Sequence, residues 1–223
     1  MKILKLGIDD AGRGPVVGPM ILAGVLIDDS AEKELRKLGV KDSKQLTQKR
    51  REFMEEKIKE LAISYHIETT FPEELDNSLE FGTNLNELEA IKTANIINKL
   101  NAEHNQRLKL VVDCPSTSIL KWTDSVRQKV KHMANIELSC EHKADHNHLS
   151  VGAASILAKC VREREMDKLR EEYPGIGSGY TSDPATIAFL EKYAEKHKNK
   201  GIFRKTWATY QRAHANLKQK TLF

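Results

Sequence analysis

Four aspartates stand where a fold could expose them for chemistry. Asp9 and Asp10 close the apolar run ILKLGI, Asp113 closes LKLVVD, and Asp145 lies in HKADHNH. Carboxylates at strand ends and helix N-termini face the crevice where an α/β sheet binds ligands. Taken singly, Asp113 could end a strand and Asp145 could cap a helix. Together they are hard oxygen donors with no competing nitrogen or sulfur cluster, a set that suits Mg²⁺ or Mn²⁺. Two such ions about 3.5–4 Å apart would activate a water and stabilise a leaving 3′ oxygen. They would also relieve the repulsion among the carboxylates. Strand alternation points Asp9 and Asp10 to opposite faces, unless the chain bends where the strand ends.

Three further segments suit a nucleic-acid substrate. In Ala11-Gly12-Arg13-Gly14-Pro15 the glycines permit unusual backbone angles and close approach, so exposed amides can meet phosphate or a ribose 2′-hydroxyl. A strand-connecting turn also needs glycine. Lys41-Asp42-Ser43-Lys44 offers a hydroxyl and cations for phosphate. Gly177-Ser178-Gly179-Tyr180 presents a ring able to stack on a base or sugar. Their plain readings are a helix-entry turn and a packing tyrosine.

The elements that must position these residues follow from the apolar pattern. Residues 3–9 and 20–27 read as strands around the glycine loop, and 63–70 as a third. A helix is predicted over 46–61, and a long one from an Asn84 cap to about 103. A strand at 108–113, a helix around 117–132, a strand at 135–140 and a helix over 147–171 follow. Helices near 184–197 and 204–217 close the chain. This order predicts an α/β fold with a mixed sheet. We divide it into a catalytic domain, residues 1–180, and a helical C-terminal extension, 181–223.

At 223 residues the chain can bury a core without staples. Its 39% hydrophobic and 30% charged content excludes a disordered tail and a membrane protein. MKILKLGIDD meets acidic residues too early for a signal peptide, so the expected location is cytoplasmic. Cys114, Cys140 and Cys160 form no CxxC pair and read as reduced structural thiols. Net charge is only +4, but no acidic residue follows Glu195, and the tail carries Lys196, Lys198, Lys200, Arg204, Lys205, Arg212, Lys218 and Lys220. Such a segment contacts polyphosphate or forms a solvated helical face, and charge alone does not choose between them.

The ordered motifs resemble ribonuclease HII in its archaeal, single-domain form. Gly7 to Pro19 is similar to the family's opening signature, and Lys41-Asp42-Ser43-Lys44-Gln45-Leu46 to a second motif. His142-Lys143-Ala144-Asp145 with Ala153 to Lys159 is similar to a third. Gly177 to Tyr180, with Ser182-Asp183-Pro184, is similar to a fourth. The resemblance implies an RNase H-like fold: a mixed five-stranded sheet flanked by helices, with a helical C-terminal region. It implies an endonuclease that hydrolyses the RNA strand of RNA/DNA hybrids and cuts 5′ of ribonucleotides embedded in duplex DNA, leaving 3′-hydroxyl and 5′-phosphate ends. By carry-over, Asp9, Asp10, Asp113 and Asp145 would be catalytic and bind Mg²⁺ or Mn²⁺, two ions with substrate bound. Gly12, Arg13 and Gly14 would recognise the 2′-hydroxyl and nearby phosphates. Tyr180 would stack by the following sugar, and Ser43 and Lys44 would contact backbone phosphate.

The chain departs from the family at Asp10, where glutamate is usual, and at Thr181, where proline is usual. The shorter Asp10 reaches about 1.5 Å less, roughly one carbon–carbon bond, which would loosen one ion site or favour the more tolerant Mn²⁺. Asn216, Gln219, Leu222 and Phe223 loosely resemble a sliding-clamp-binding peptide. The chain is expected to act as a monomer, away from membranes. Other readings are a phospho-acceptor signalling domain, a non-catalytic hybrid-binding protein, and a junction-resolvase-like nuclease. Asp113 lies too far along from Asp10 for the first, four retained anions would weaken phosphate binding in the second, and the third lacks the paired glycine and tyrosine loops.

Overall fold

A computed structural model describes residues 3–40, 46–104 and 106–220, with side chains to residue 217. The chain begins β1 (Ile3–Ala11), β2 (Met20–Ile27), α1 (Asp29–Leu38), α2 (Gln48–Leu61), β3 (Ser64–Thr70), α3 (Pro72–Glu80) and α4 (Leu85–His104). It continues β4 (Arg107–Asp113), α5 (Ile119–Lys129), β5 (Ile136–Glu141), α6 (Ala144–Asn147), α7 (Leu149–Glu172), α8 (Pro184–Tyr193) and α9 (Ala208–Lys220). Contacts divide it into two compact units. One comprises Met1–Ala11, Ile21–Glu68 and Asn86–Cys160; the other comprises Gly12–Met20, Thr69–Leu85 and Val161–Phe223.

The five strands form one sheet in the order β3-β2-β1-β4-β5. β1 is antiparallel to β2, while β4 runs parallel to both β1 and β5, so the sheet is mixed as expected. All eight residues of β2 are buried, which is why MILAGVLI reads as an unbroken apolar run rather than an alternating one. The outer strands β3 and β5 are mostly half-buried and carry more polar residues.

Two glycines in the first unit mark where helices lie on the sheet. A Cβ at Gly7 would overlap the backbone of Ser150 and Val151, so the first turn of α7 rests directly on β1. A Cβ at Gly24 would overlap the Ile96 side chain, which brings α4 down on β2.

The second unit has its own core, in which Val16, Val17, Met166, Ile176, Leu190 and Phe203 are buried. Val17 and Phe203 form an isolated antiparallel bridge that draws residues 203–207 to the loop after β1. The carboxylate of Asp76, on α3, fixes the other side of that segment. It accepts from the Lys205 and Thr206 amides at 2.7 and 3.0 Å and from the Thr206 hydroxyl at 2.7 Å.

Among the described residues three helices go beyond the sequence expectations: α1, α3 and the single turn α6. In α1 only Ala31 and Leu35 are buried, one turn of apolar signal, and the helix is set by its Asp28 cap on the Ser30 and Ala31 amides. α3 starts at Pro72 and buries Asp76 beside Leu75, so a polar residue occupies its inner face and blurs the period. The predicted helix at 204–217 begins instead at Ala208, because Arg204 and Trp207 hold the β1–β2 loop while Lys205 and Thr206 bond Asp76.

Candidate active site

β1 continues past both aspartates to Ala11, so the chain does not end its strand at Asp9 and Asp10. Asp9 is 6% exposed and Asp10 half-buried. The parallel register pairs Ile8 with Val112, so Asp9 and Asp113 follow side by side on adjacent strands. Asp9 accepts the Asp10 amide at 2.8 Å and a hydrogen bond from Ser155 on α7. Its pKa is pushed up to about 8, first by burial and then by the negative charge of Asp10, with Asp113 adding to the rise. Three of the predicted carboxylates therefore act on one another.

The fourth arrives through the turn after β5. Asp113 Oδ1 accepts the Ala144 amide at 2.7 Å, which holds the residue before Asp145 against the end of β4. His142 Nδ1 lies 3.1 Å from the Cys114 carbonyl on the same stretch. Between them Lys143 has φ 57°, the only non-glycine residue with positive φ among the described residues. An αL lysine is strained by about 1–3 kcal/mol, and such strain collects where a side chain must be aimed. It turns the chain into α6 with Asp145, 6% exposed, in the first turn.

These donors fit a divalent metal in kind and in charge. Anionic oxygens raise the protonation of their neighbour at Asp9, and a cation would reverse that effect. Among the described residues no three groups close a metal site by themselves.

Gly12, Arg13, Gly14 and Tyr180 lie in the second unit. Gly12 has φ 81°, Arg13 is half-buried and Gly14 is exposed with open space where a side chain would stand. Arg204, fully buried, donates to the carbonyls of Gly12, Arg13 and Gly18 at 2.6, 2.8 and 3.0 Å. Trp207 Nε1 donates to the Gly14 carbonyl at 3.2 Å. Arg204 and Trp207 thus hold the loop through its carbonyls.

Tyr180 is 42% exposed at the tip of the second loop. Asp183 ties that loop by accepting from the Ser178 amide at 2.6 Å and the Ser178 hydroxyl at 2.8 Å. These bonds hold its pKa down at about 2. Ser43 and Lys44 lie outside the described residues.

Sequence reasoning did not single out Ser155, Lys159, Arg162 or Arg204. Lys159 Nζ donates to Ser155 Oγ at 2.9 Å, one helical turn away, so the hydroxyl is directed at Asp9. The i, i+4 spacing inside an already notable motif was the available signal for that pair. Arg204 gave none, being one cation of a basic tail.

The comparisons bear on this arrangement as a whole. A family profile described as Ribonuclease HII matches residues 6–210. The Ribonuclease HII of Thermococcus onnurineus is 42% identical over 212 residues, covering 95% of this chain and 90% of the relative. Among solved structures, the ribonuclease H2 from Pyrococcus horikoshii superposes with a TM-score of 0.84 at 35% identity, over 96% of this chain and 99% of that one. The RNase HII of a PCNA:RNase HII complex from Archaeoglobus fulgidus gives 0.81 at 36% identity, over 94% and 96%. Neither a binding-only protein nor a junction resolvase is favoured by these likenesses. With its motifs in order and its matches running almost end to end, the chain belongs to the ribonuclease HII family, metal-dependent endoribonucleases that act on RNA/DNA hybrids.

Proposed function

We propose that Asp9, Asp10, Asp113 and Asp145 are the catalytic, metal-holding carboxylates of this endonuclease. In this reading it cuts RNA/DNA hybrids and also cuts 5′ of single ribonucleotides in duplex DNA, leaving 3′-hydroxyl and 5′-phosphate ends. The observation that carries it is the mutual influence of Asp9, Asp10 and Asp113, with Asp113 bonded to the residue before Asp145. Mg²⁺ or Mn²⁺, two ions with substrate bound, would supply Lewis acidity and a nucleophile at neutral pH. The carboxylates orient and neutralise these charges, and Ser155 fixes the rotamer of Asp9. Amides of Gly12, Arg13 and Gly14 would hydrogen-bond the 2′-hydroxyl and flanking phosphate, and Tyr180 would stack on the next sugar. Ser43 and Lys44 would hold phosphate, a role that rests on their sequence motif.

Cleavage of a DNA duplex with one embedded ribonucleotide, beside an all-RNA/DNA hybrid, with Mg²⁺, Mn²⁺ or chelator, tests this reading. Scission 5′ of the ribose that chelator abolishes supports it. Folded protein that cuts neither substrate with either metal ends it.

The same reading extends to partners and place. Residues 181–223 serve as a helical, basic extension of the catalytic portion, residues 1–180, in a cytoplasmic monomer. Among the described residues no helix is long and apolar enough to cross a membrane. The Archaeoglobus relative is found with PCNA, and the tail of this chain would engage a clamp of that type through Asn216, Gln219, Leu222 and Phe223. Leu222 and Phe223 lie outside the described residues. Clamp affinity unchanged by deleting residues 216–223 would dispose of this contact.

A further inference from the structure

Arg162 is 6% exposed, and the carboxylate of the neighbouring Glu163 pairs with Arg170. Its Nη2 donates to the Ser178 carbonyl at 3.0 Å, while its Nε is buried with no hydrogen-bond partner among the described residues. Its guanidinium lies 4.9 Å from the ring centroid of Tyr180. A buried cation held by one carbonyl and one aromatic face is poorly served as a purely structural group, since buried charges are ordinarily paired.

Its side chain runs close to two glycines. A Cβ at Gly12 would fall 2.5 Å from Arg162 Cδ, and one at Gly179 would fall 3.3 Å from Arg162 Nη2. Both glycines have positive φ, at 81° and 85°, and each belongs to one of the two loops. The Val16 amide donates to the Gly179 carbonyl at 2.9 Å, so the loops also touch through backbone. Arg162 thus passes Gly12 along its stem and ends against Ser178 and Tyr180 at its head.

We infer that Arg162 is the positioning residue for Tyr180, setting its ring at a fixed distance from the Gly12 turn and so sharpening the choice of a single ribonucleotide over a continuous hybrid. This rests on the reading of Tyr180 and the glycine loop given above. A junction presents one ribose followed by one deoxyribose, so ring and turn must meet neighbouring sugars together. A continuous hybrid offers no such junction and tolerates a looser ring. Lysine cannot replace Arg162, because its compact ammonium lacks the planar fork that both bonds a carbonyl and stacks on a ring.

The test is the ratio of cleavage rates on the two substrates for Arg162→Lys, Tyr180→Ala and the double variant, with folding followed by thermal melting. Arg162→Lys is expected to lower the single-ribonucleotide rate about three- to tenfold more than the hybrid rate, the scale of a desolvated cation–π contact. In the Tyr180→Ala background the same substitution should leave the ratio unchanged. A ratio lowered by Tyr180→Ala but not by Arg162→Lys overturns the inference and leaves the tyrosine reading intact. Equal, additive losses in both backgrounds overturn it as well, since they mark general support. A ratio untouched by Tyr180→Ala overturns the tyrosine reading, and the inference with it. A second measurement needs no Arg162 variant: the side-chain NMR signals of Arg162 should carry a ring-current shift that Tyr180→Ala removes. Persistence of that shift would also overturn the inference.

Discussion

The Asp113 carboxylate accepts the backbone amide of Ala144 at 2.7 Å, so the residue that ends β4 also fixes the approach to Asp145. Charge and hydrogen-bond acceptance are thereby joined in one side chain, and two substitutions separate them. Asp113→Asn keeps an oxygen acceptor and loses the charge. It should melt near the parent temperature and cut hybrids at least about a hundredfold more slowly. Asp113→Ala loses both and leaves a buried amide unsatisfied, which destabilises by about 1–3 kcal/mol. Denaturant melts beside a hybrid-cleavage assay separate the two; an Asp113→Asn variant of parental activity would remove Asp113 from the catalytic set.

Asp9 is a carboxylate held against its charge by burial and by the neighbouring Asp10. Its pKa of about 8 in the folded, metal-free protein exceeds its ordinary value of 3.8, so folding favours its protonated form. That contribution is complete below pH 3.8, declines as pH rises, and is lost once pH passes about 8. Asp9→Asn is neutral throughout and keeps what the parent loses. In chelator the two proteins should melt alike near pH 4 and part above pH 8, the variant being more stable by a few kcal/mol, and inactive with any metal. Parallel melting curves across the whole range would mean that Asp9 is ionised without strain.

Asp10 should report on metal geometry more than on folding, because it is half-buried and one carbon shorter than the usual family residue. Asp10→Glu restores about 1.5 Å of reach. The expected result is a several-fold faster Mg²⁺-dependent rate with a smaller change in Mn²⁺, whose coordination is more tolerant. Rates in titrations of each metal check this. Identical Mg²⁺ dependence in both proteins would show that the shorter side chain is accommodated without loss.

How much of this the sequence could show depends on the range of the forces involved. Period is local, so β2, α4 and the strand that ends in Asp113 could be read directly. Asp113 could be found because it closes its strand in sequence as well as in space, whereas Asp9 and Asp10 lie inside β1 and Asp145 sits in the first turn of α6. Asp76 and Arg204 could not, since each acts on backbone more than a hundred residues away and resembles any surface charge until the chain folds. Gly12 and Gly179 were legible as flexible positions, but what crowds them, Arg162 at Gly12 and the Val17 carbonyl at Gly179, is a tertiary fact.

Arg204 is the clearest case of a buried cation working through backbone. Its guanidinium is fully buried, bonds three carbonyls of the glycine loop and its exit, and lies 5.0 Å from the Trp207 ring centroid. Arg204→Gln is uncharged and shorter, and it cannot reproduce a three-way donor fork. Hydrogen bonds to charged groups contribute roughly 1.5–3 kcal/mol each, though the three share one geometry and their losses will not add. A destabilisation of about 3–5 kcal/mol is therefore expected, comparable to breaking a buried ionic network. If the variant folds, the freed carbonyls of Gly12 and Arg13 should let the loop move. Amide hydrogen exchange at Arg13 and Gly14 should then speed up, while amides within β4 should keep their protection relative to the new global stability. The Michaelis constant for a single-ribonucleotide duplex should rise because the amides are no longer pre-aimed. Slow exchange retained at Arg13 and Gly14 would show that the loop is held by Trp207 and the Gly179 contacts instead.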